Sequence, residues 1–414
     1  MFYGVVCVAY DSQTTHPNFT DITVELYNLQ SIEKILQAEK YWIKKGSMDE
    51  DNGIRSINHF YDPIYNRSWK LGGFESLIKE ETSIIWFNDQ LRQSSYDTAF
   101  LVALQIKNMS YLESNANQTY NRAIYEYLKG NKKEAFYALG HTLHLLQDLT
   151  SVPHVRADVH FGKNDESNYE IRSSYKTVDD FKMLFNKLKL FSIVKRNSVE
   201  DYFYNLALYT NNNFYSEDTI SAIEYQKPEI YLKNIAEITN NNSTYYWLGS
   251  DEEKKDTYKL VKQFGGLWKI NTSLNAVTVD DPLVFEDYWV RLSKKAVLEG
   301  AGLLDLFFKD VEMKRDDPSF FIMMEKKQGV KFFENFIGDI KQIGIYINGL
   351  LNKHPEDVIL QPPNTINKNF IVSTSKQQNL VDTTTRTSST TKLIIPQKTT
   401  TTTKKTTTTT KKVK

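Results

Sequence analysis

Residues 138–162, ALGHTLHLLQDLTSVPHVRADVHFG, contain four of the seven histidines of the chain. Apolar residues recur at spacings of three and four up to Asp148, which predicts a helix that ends before Pro153. His144 and Asp148 are four residues apart, so they lie on one helix face about one turn from each other. An imidazole and a carboxylate placed in this way can bind the same cation.

The histidines around this helix extend the same pattern. His154 follows a proline on a tight loop and can reach the same end of the helix. A lone His-x-x-x-Asp pair usually belongs to a solvated helix, but the local density of histidines favours a metal site. His141 shares the helix face and has three interpretations: it orients a ligand, contacts substrate, or is buried in the core. Because Cys7 is the one cysteine, a metal must be bound by His, Asp and Glu.

Three other stretches place candidate ligands on the chain. In DESNYEIRSSY, residues 165–175, two glutamates four residues apart could form a carboxylate ligand pair, or could simply favour the start of a helix. In MDEDNGIRSINHFYDP, residues 48–63, an acidic turn is followed by a histidine before an aromatic-Asp-Pro turn. A Thr-His-Pro sequence lies near the N-terminus. The candidates are His16, Asp51, His59, Glu166 and Glu170.

Together these motifs resemble the zinc-dependent phospholipase C family, which shares its fold with the single-strand-specific zinc nucleases of fungi and plants. The His-x-x-x-Asp pattern followed six residues later by His resembles the trio that bridges the metals in that family. NHFYDP at 58–63 is similar to its histidine-ligand turn, and THPNFT at 15–20 to its N-terminal histidine segment. The resemblance implies two or three Zn²⁺ ions bound by His16, Asp51, His59, His144, Asp148, His154, Glu166 and Glu170.

The sequence departs from the family pattern at two places. Glu166 stands where histidine is usual in the family. A carboxylate is a harder ligand than an imidazole, so that metal site would be less selective for Zn²⁺. His160 could serve as the ligand in place of Glu166. The mature N-terminal residue of the family, often Trp, binds a metal through its amine and carbonyl, whereas the first tryptophan here is Trp42. A complete third metal site would therefore require processing that exposes an amine near Tyr10.

The composition predicts an all-α body followed by a different tail. We expect one multi-helix domain at residues 11–310, with a helical extension at 311–360. Predicted helices begin near Thr20 and cover about 94–112, 117–128, 131–150, 178–191, 199–208 and 282–308. An apolar stripe at 330–353 could face the core or a membrane surface. Residues 361–414, rich in Thr and Lys, cannot bury enough apolar surface to fold and are predicted to be disordered.

Charge is unevenly distributed although the formal net charge is zero. From Gln361 onward there are ten Lys or Arg and one Asp, a net charge of +9, so residues 1–360 carry −9. The tail could attach to an anionic surface or act as a solubilising stalk. Residues 1–10 are apolar without a basic segment, and they could be the remnant of a signal peptide or a buried strand. No run of about 18 apolar residues predicts a membrane-spanning helix.

The resemblance implies a phosphoester hydrolase, most simply of phospholipase C type, in which a hydroxide activated by the metals cleaves a phospholipid headgroup. Asp51 would be a ligand and would also accept the proton of the attacking water. Arg55 and Arg156 could contact substrate phosphate or form structural salt bridges.

The implied partners are a phospholipid or another phosphodiester and a membrane surface, and we expect a secreted or cell-surface monomer. The alternatives are a single-strand-specific nuclease, which the acidic body disfavours, and a non-enzymatic surface protein that metals stabilise.

Overall fold

The fold is known from a computed structural model that describes residues 10–51, 55–68, 82–90, 93, 117–158, 168–220, 222, 224–225, 237–239, 242–250, 257–263 and 277–325. Several predictions fall outside these residues, namely those for His160, Glu166, residues 1–9, the helix at 94–112, the stripe at 330–353 and the tail at 361–414. In the described part of the chain, no helix is both long and apolar enough to cross a membrane.

Helices dominate the described residues, as predicted. They are α1 (Thr15–Gln30), α2 (Gln37–Asp49), α3 (Ser83–Trp86), α4 (Tyr120–Leu128), α5 (Lys132–Asp148), α6 (Val152–Val155), α7 (Asn168–Ser174), α8 (Val178–Leu184), α9 (Val199–Asn213), α10 (Pro282–Lys314) and α11 (Pro318–Glu325), with 3₁₀ turns at Arg55–Asn58 and Leu188–Leu190. The predicted domain end at residue 310 lies inside α10, which continues for four more residues.

Helix α1 begins five residues earlier than the sequence pattern predicts. The Asp11 carboxylate accepts hydrogen bonds from the backbone N–H groups of Gln13 and Thr14, at 2.9 and 2.6 Å. The Asp11 carbonyl accepts the N–H of Thr15 at 3.0 Å. Because this turn satisfies the N–H groups that have no partner inside a helix, α1 can start at Thr15. The earlier start places His16 on a helix and not on a loop.

An antiparallel sheet occupies a region for which the sequence predicted no element. Its strands are β1 (Glu237–Thr239), β2 (Asn242–Ser250), β3 (Thr257–Gln263) and β4 (Val277–Thr278), in the order β1-β2-β3-β4. Tyr246 pairs with Lys262, and a bulge follows at Trp247/Leu248. The sheet packs on α10, where the Tyr288 hydroxyl donates a 2.8 Å hydrogen bond to the Leu260 carbonyl. A small sheet thus extends the helical body.

The core is built around α5, whose residues 138–148 are all buried. Helices α2 and α5 approach closely at two glycines. A Cβ atom added to Gly140 would lie 2.1 Å from the Ile43 carbonyl oxygen, and one added to Gly46 would lie 2.0 Å from the Tyr137 carbonyl oxygen. Only glycine permits this separation, because backbone meets backbone without a side chain between. The contact brings the C-terminal turn of α2 against the histidine face of α5.

Helix α10 closes the other side of the core. Asp281 caps its N-terminus by accepting the N–H groups of Leu283 and Val284, and Pro282 occupies its first turn. The helix packs against both α1 and α5. Gly300 lies at this junction, where an added Cβ would meet the side chains of Leu143 and Thr23 at 3.0 Å.

Candidate metal centre

Asp148, the last residue of α5, lies at the centre of a buried histidine cluster. Its Oδ2 atom lies 2.8 Å from His59 Nδ1 and 3.1 Å from His144 Nε2. Its Oδ1 atom lies 3.1 Å from His16 Nε2. These four side chains are completely buried. The structure therefore brings together one carboxylate and histidines from three separated stretches of the chain.

Asp51 adds a second carboxylate, just after the end of α2. Its Oδ1 atom lies 3.4 Å from His144 Nε2 and 3.5 Å from His59 Nδ1. Two overlapping groups of donor atoms result, each within 4.8 Å: His16, Asp51 and His144 form one, and His59, His144 and Asp148 form the other. Asp51 is 8% exposed, whereas the other members are fully buried. Both carboxylate oxygens of Asp51 are nevertheless buried, so its small exposed area lies elsewhere on the residue.

His154 and Glu170 form a neighbouring pair, with His154 Nε2 at 3.7 Å from Glu170 Oε1. The Ser151 hydroxyl donates to the same carboxylate oxygen at 2.9 Å. A hydrogen bond of 2.9 Å from the Tyr61 N–H to the His154 carbonyl joins this loop to the loop of His59. The predicted ligands His16, Asp51, His59, His144, Asp148, His154 and Glu170 are thus gathered in one region, while Glu166 and its alternative His160 lie outside the described residues.

Backbone carbonyls determine which nitrogen of two histidines carries a proton. His144 Nδ1 lies 2.5 Å from the Ser47 carbonyl oxygen, and His154 Nδ1 lies 3.4 Å from the His59 carbonyl oxygen. Since a carbonyl can only accept, Nδ1 of His144 must donate; the contact of His154 is at the outer limit of a hydrogen bond and favours the same tautomer. Each Nε2 atom is left to face a carboxylate. A second residue that holds one ring nitrogen in this way is the usual support of a metal-binding histidine.

The donor atoms of the cluster lack hydrogen-bond partners among the described residues. These atoms are His16 Nε2, both Asp51 oxygens, both His59 nitrogens, His144 Nε2, both Asp148 oxygens and His154 Nε2. Extra protons on the imidazoles would pair some of them. The His16 and His144 rings, however, stack with their centroids 3.7 Å apart, where two imidazolium charges would repel each other. Divalent cations fit this set of atoms better, because one ion serves several donors at once.

Burial and neighbouring charges shift the pKa values of the buried groups in different directions. Burial disfavours ionised Asp148, yet the nearby His144 and His16 hold its pKa well below the usual range. Burial raises the pKa of Glu170 well above its usual range, and the charges of Asp148, Asp158 and Asp51 raise it further. Burial lowers the pKa of His154 to about 4, which keeps this imidazole neutral and able to bind a metal.

A second buried network, centred on Glu50, supports the cluster from outside. The Glu50 carboxylate accepts hydrogen bonds from Arg55 Nε and Trp86 Nε1, each at 2.8 Å, and from His141 Nδ1. Burial opposes ionisation of Glu50, but Arg55 and the histidines hold its pKa well below the usual range. Arg55 therefore belongs to a structural ion pair, and His141 is a buried histidine that hydrogen bonds to this carboxylate.

Arg156, like Arg55, has a structural role. It is 1% exposed and donates hydrogen bonds to the Asn211 carbonyl and the Thr219 hydroxyl.

Sequence reasoning did not identify Glu50, Ser47 and Gln147 as functional residues. For Gln147 there was a signal, because an amide between Leu146 and Asp148 in an apolar helix needs a polar partner. Its Oε1 atom accepts a 2.7 Å hydrogen bond from His16 Nδ1. Glu50 and Ser47 have no comparable signal, since both resemble ordinary polar residues of a solvated helix end.

Comparison with solved structures finds 11 similar chains, two alpha-toxins among them. No protein-family model and no curated protein matches the sequence. The chain is similar to the alpha-toxin of Clostridium absonum, with a TM-score of 0.38 and 14% identity over 73% of this chain and 65% of that chain. It thus spans slightly less than two thirds of that protein's length. The chain is also similar to the alpha-toxin of an avian strain of Clostridium perfringens, with a TM-score of 0.36 and 13% identity over 76% and 67% of the two chains.

Proposed function

We propose that this chain is a zinc-dependent phosphoester hydrolase that cleaves phospholipids in the manner of a phospholipase C. The observation that carries the proposal is the pair of overlapping donor groups that share His144, with Asp148 at their centre. Such a constellation can hold neighbouring divalent ions, the arrangement with which many enzymes cleave phosphate esters. The proposed ligands are His16, Asp51, His59, His144, Asp148, His154 and Glu170, with Glu166 as a further candidate, and the proposed number of ions is two or three.

The chain's own residues have distinct parts in this reaction. Bound Zn²⁺ supplies a Lewis acid and lowers the pKa of a water molecule towards about 7. The buried histidines and Asp148 hold the donor atoms in place and exclude bulk water. Asp51 accepts the proton of the attacking water. The water oxygen bonds to phosphorus, the bond from phosphorus to the glycerol oxygen breaks, and that oxygen takes a proton from solvent.

The charge of the body favours a lipid substrate over a nucleic acid. Residues 1–360 carry a net charge of −9, which repels a polyanion that is not neutralised by Lys and Arg. A phosphodiester headgroup presents a single phosphate, so the same repulsion is much smaller. The proposal also includes peripheral contact with a membrane surface, and action as a secreted or cell-surface monomer.

The test is hydrolysis of p-nitrophenylphosphorylcholine and of phosphatidylcholine vesicles, compared with single-stranded DNA, with and without chelator. We expect chelator-sensitive release of phosphorylcholine and little cleavage of DNA. Asp51→Asn should abolish turnover. Asp49→Asn is the matched control, because Asp49 ends the same helix but pairs with Lys45 and Tyr137 at 2.6 and 2.8 Å.

Two outcomes would overturn the proposal. Preferential cleavage of DNA would indicate a nuclease of the same architecture. A protein that binds zinc stoichiometrically yet hydrolyses neither substrate would indicate that the metals only stabilise the fold.

A further inference from the structure

Gln147 links His16 to a hydrogen-bond chain that leads away from the candidate metal centre. Its Oε1 atom lies 2.7 Å from His16 Nδ1, and its Nε2 atom donates to the Thr20 hydroxyl at 3.3 Å. The Thr20 hydroxyl donates to the Ser47 hydroxyl at 3.1 Å, which in turn donates to the Lys44 carbonyl at 2.9 Å. The chain therefore joins α5, α1 and α2.

The direction of this chain follows from counting protons. A carbonyl only accepts, so the single hydroxyl proton of Ser47 points to Lys44. Ser47 must then accept from Thr20, and Thr20, having given its own proton, must accept from Gln147. The side chain of Gln147 can satisfy this only if its NH₂ group faces Thr20. Gln147, Thr20 and Ser47 are all 0% exposed, so water does not compete for these positions.

The orientation of the Gln147 amide in turn determines the tautomer of His16. With NH₂ towards Thr20, the amide oxygen faces His16 Nδ1, which must carry the proton. His16 Nε2 then presents a lone pair 3.1 Å from Asp148 Oδ1, the side of the ring where a cation can bind. A reversed amide would favour the other tautomer, whose Nε2–H would donate to Asp148 and could not bind a metal.

We propose that the Thr20–Ser47–Gln147 chain is a positioning device, which holds His16 in the one tautomer able to bind a metal ion. This inference rests on the proposed metal centre. Gln147 is the positioning residue in contact with the ligand, and Thr20 fixes the orientation of Gln147. Loss of such support around a metal ligand typically costs about 10-fold to 100-fold in metal affinity.

The chain offers a matched pair of variants for the test. Thr20→Val removes one hydroxyl at nearly constant volume and lets the Gln147 amide rotate. Thr23→Val makes the same change one turn further along α1, at a buried threonine whose hydroxyl has no hydrogen-bond partner among the described residues. Thr20→Ser keeps the hydroxyl and should restore wild-type behaviour.

Two measurements on the full chain distinguish positioning from general structure. Competition with a chromophoric chelator gives the affinities for Zn²⁺ and Co²⁺. Nitrogen-15 chemical shifts of the metal-free protein report which His16 nitrogen is protonated. For Thr20→Val we expect about 10-fold to 100-fold weaker binding of one ion, together with a shift of the His16 proton towards Nε2. Thr23→Val and Thr20→Ser should match the wild type in both.

Each outcome bears on a different claim. A wild-type protein that binds neither metal would overturn the proposed function itself. A wild-type protein that binds metal, with Thr20→Val indistinguishable from Thr23→Val, would overturn the positioning role alone. If Thr20→Val does not fold, the pair Gln147→Glu and Gln147→Met decides the matter, since Glu keeps an acceptor for His16 Nδ1 and Met removes it. Equal metal affinity in these two variants would contradict the inference.

Discussion

Replacing Gly140 by alanine should separate α2 from α5 and weaken the metal centre. The new Cβ atom would lie 2.1 Å from the Ile43 carbonyl oxygen and 2.9 Å from the Ser47 nitrogen. A carbon approaches a carbonyl oxygen to about 3.3 Å, so the helices must part by roughly 1 Å. The hydrogen bond between His144 and the Ser47 carbonyl, now 2.5 Å, would lengthen to about 3.5 Å and be lost.

The expected loss of stability combines opposing contributions. Overpacking a tight interface costs about 1–3 kcal/mol. The broken hydrogen bond costs about 1 kcal/mol, and the better helix propensity of alanine returns about 1 kcal/mol. The free energy of unfolding of Gly140→Ala should therefore fall by about 1–3 kcal/mol. Because metal sites tolerate displacements of only about 0.2 Å, we also expect roughly 100-fold weaker zinc binding.

The assay is urea unfolding of the chelated protein together with zinc competition. Gly300→Ala is the control, since this glycine is also in the middle of a long helix but its added Cβ would meet only side-chain atoms, at 3.0 Å. Zinc affinity should be unchanged in the control. A Gly140→Ala protein with the stability and zinc affinity of the wild type would show that α2 and α5 do not need this contact.

Three further predictions concern the metal and two ion pairs. Zinc at 100 times its dissociation constant should raise the free energy of unfolding by about 2.7 kcal/mol, whereas equal urea midpoints with and without chelator would contradict a folded metal site. The Glu299 carboxylate is 1% exposed and accepts a 2.7 Å hydrogen bond from Arg196, so Glu299→Gln should lower the free energy of unfolding in urea by about 2 kcal/mol. Glu312→Gln is the control, because Glu312 is exposed and its loss of charge should not change this free energy. Equal urea midpoints for the two variants would refute the prediction. Burial disfavours ionised Asp281, but hydrogen bonds from Lys262 and two backbone N–H groups lower its pKa below the usual value of about 3.9. The ionised carboxylate therefore stabilises the folded protein at neutral pH, and this stabilisation is lost as the pH falls through the folded-state pKa. In chelated protein, the stability difference between wild type and Asp281→Asn should therefore shrink from about pH 5 downwards, and a difference that stays constant would exclude this role.

Local patterns predicted much of the helical fold. The helix expected at about 131–150 is α5, whose described bounds are Lys132–Asp148, because its apolar spacing and Pro153 are both signals within a few residues. The start of α1 was missed since it depends on a turn made by Asp11, which leaves no apolar pattern. The sheet was missed because β1 and β4 have only three and two residues, and because β2, NSTYYWLGS, does not alternate apolar and polar residues.

The candidate site, like the fold, was predictable from the sequence only in part. The spacing of His144 and Asp148 predicts from geometry alone that they share a helix face, and their atoms lie 3.1 Å apart. Nothing in the spacing of His16 or His59 places them against Asp148, because that contact depends on how distant helices pack. The hydrogen-bond partners His16 of Gln147 and His144 of Ser47 are 131 and 97 positions away along the chain. The sequence therefore indicates that Gln147 needs a polar partner but does not identify that partner, and it gives no signal for Ser47.

The position of α10 has a consequence for any shortened version of the protein. Its Trp289 stacks on Phe19 with the ring centroids 5.6 Å apart, and its Gly300 packs between Thr23 and Leu143. A late segment of the chain thus packs against both α1 and α5, the helices that carry His16 and His144. A fragment ending before residue 282 would contain every proposed ligand, but both helices would lose their packing contacts with α10. A fragment that contains all the ligands is therefore insufficient to hold them in place, and fragments for biochemical work should extend beyond Lys314.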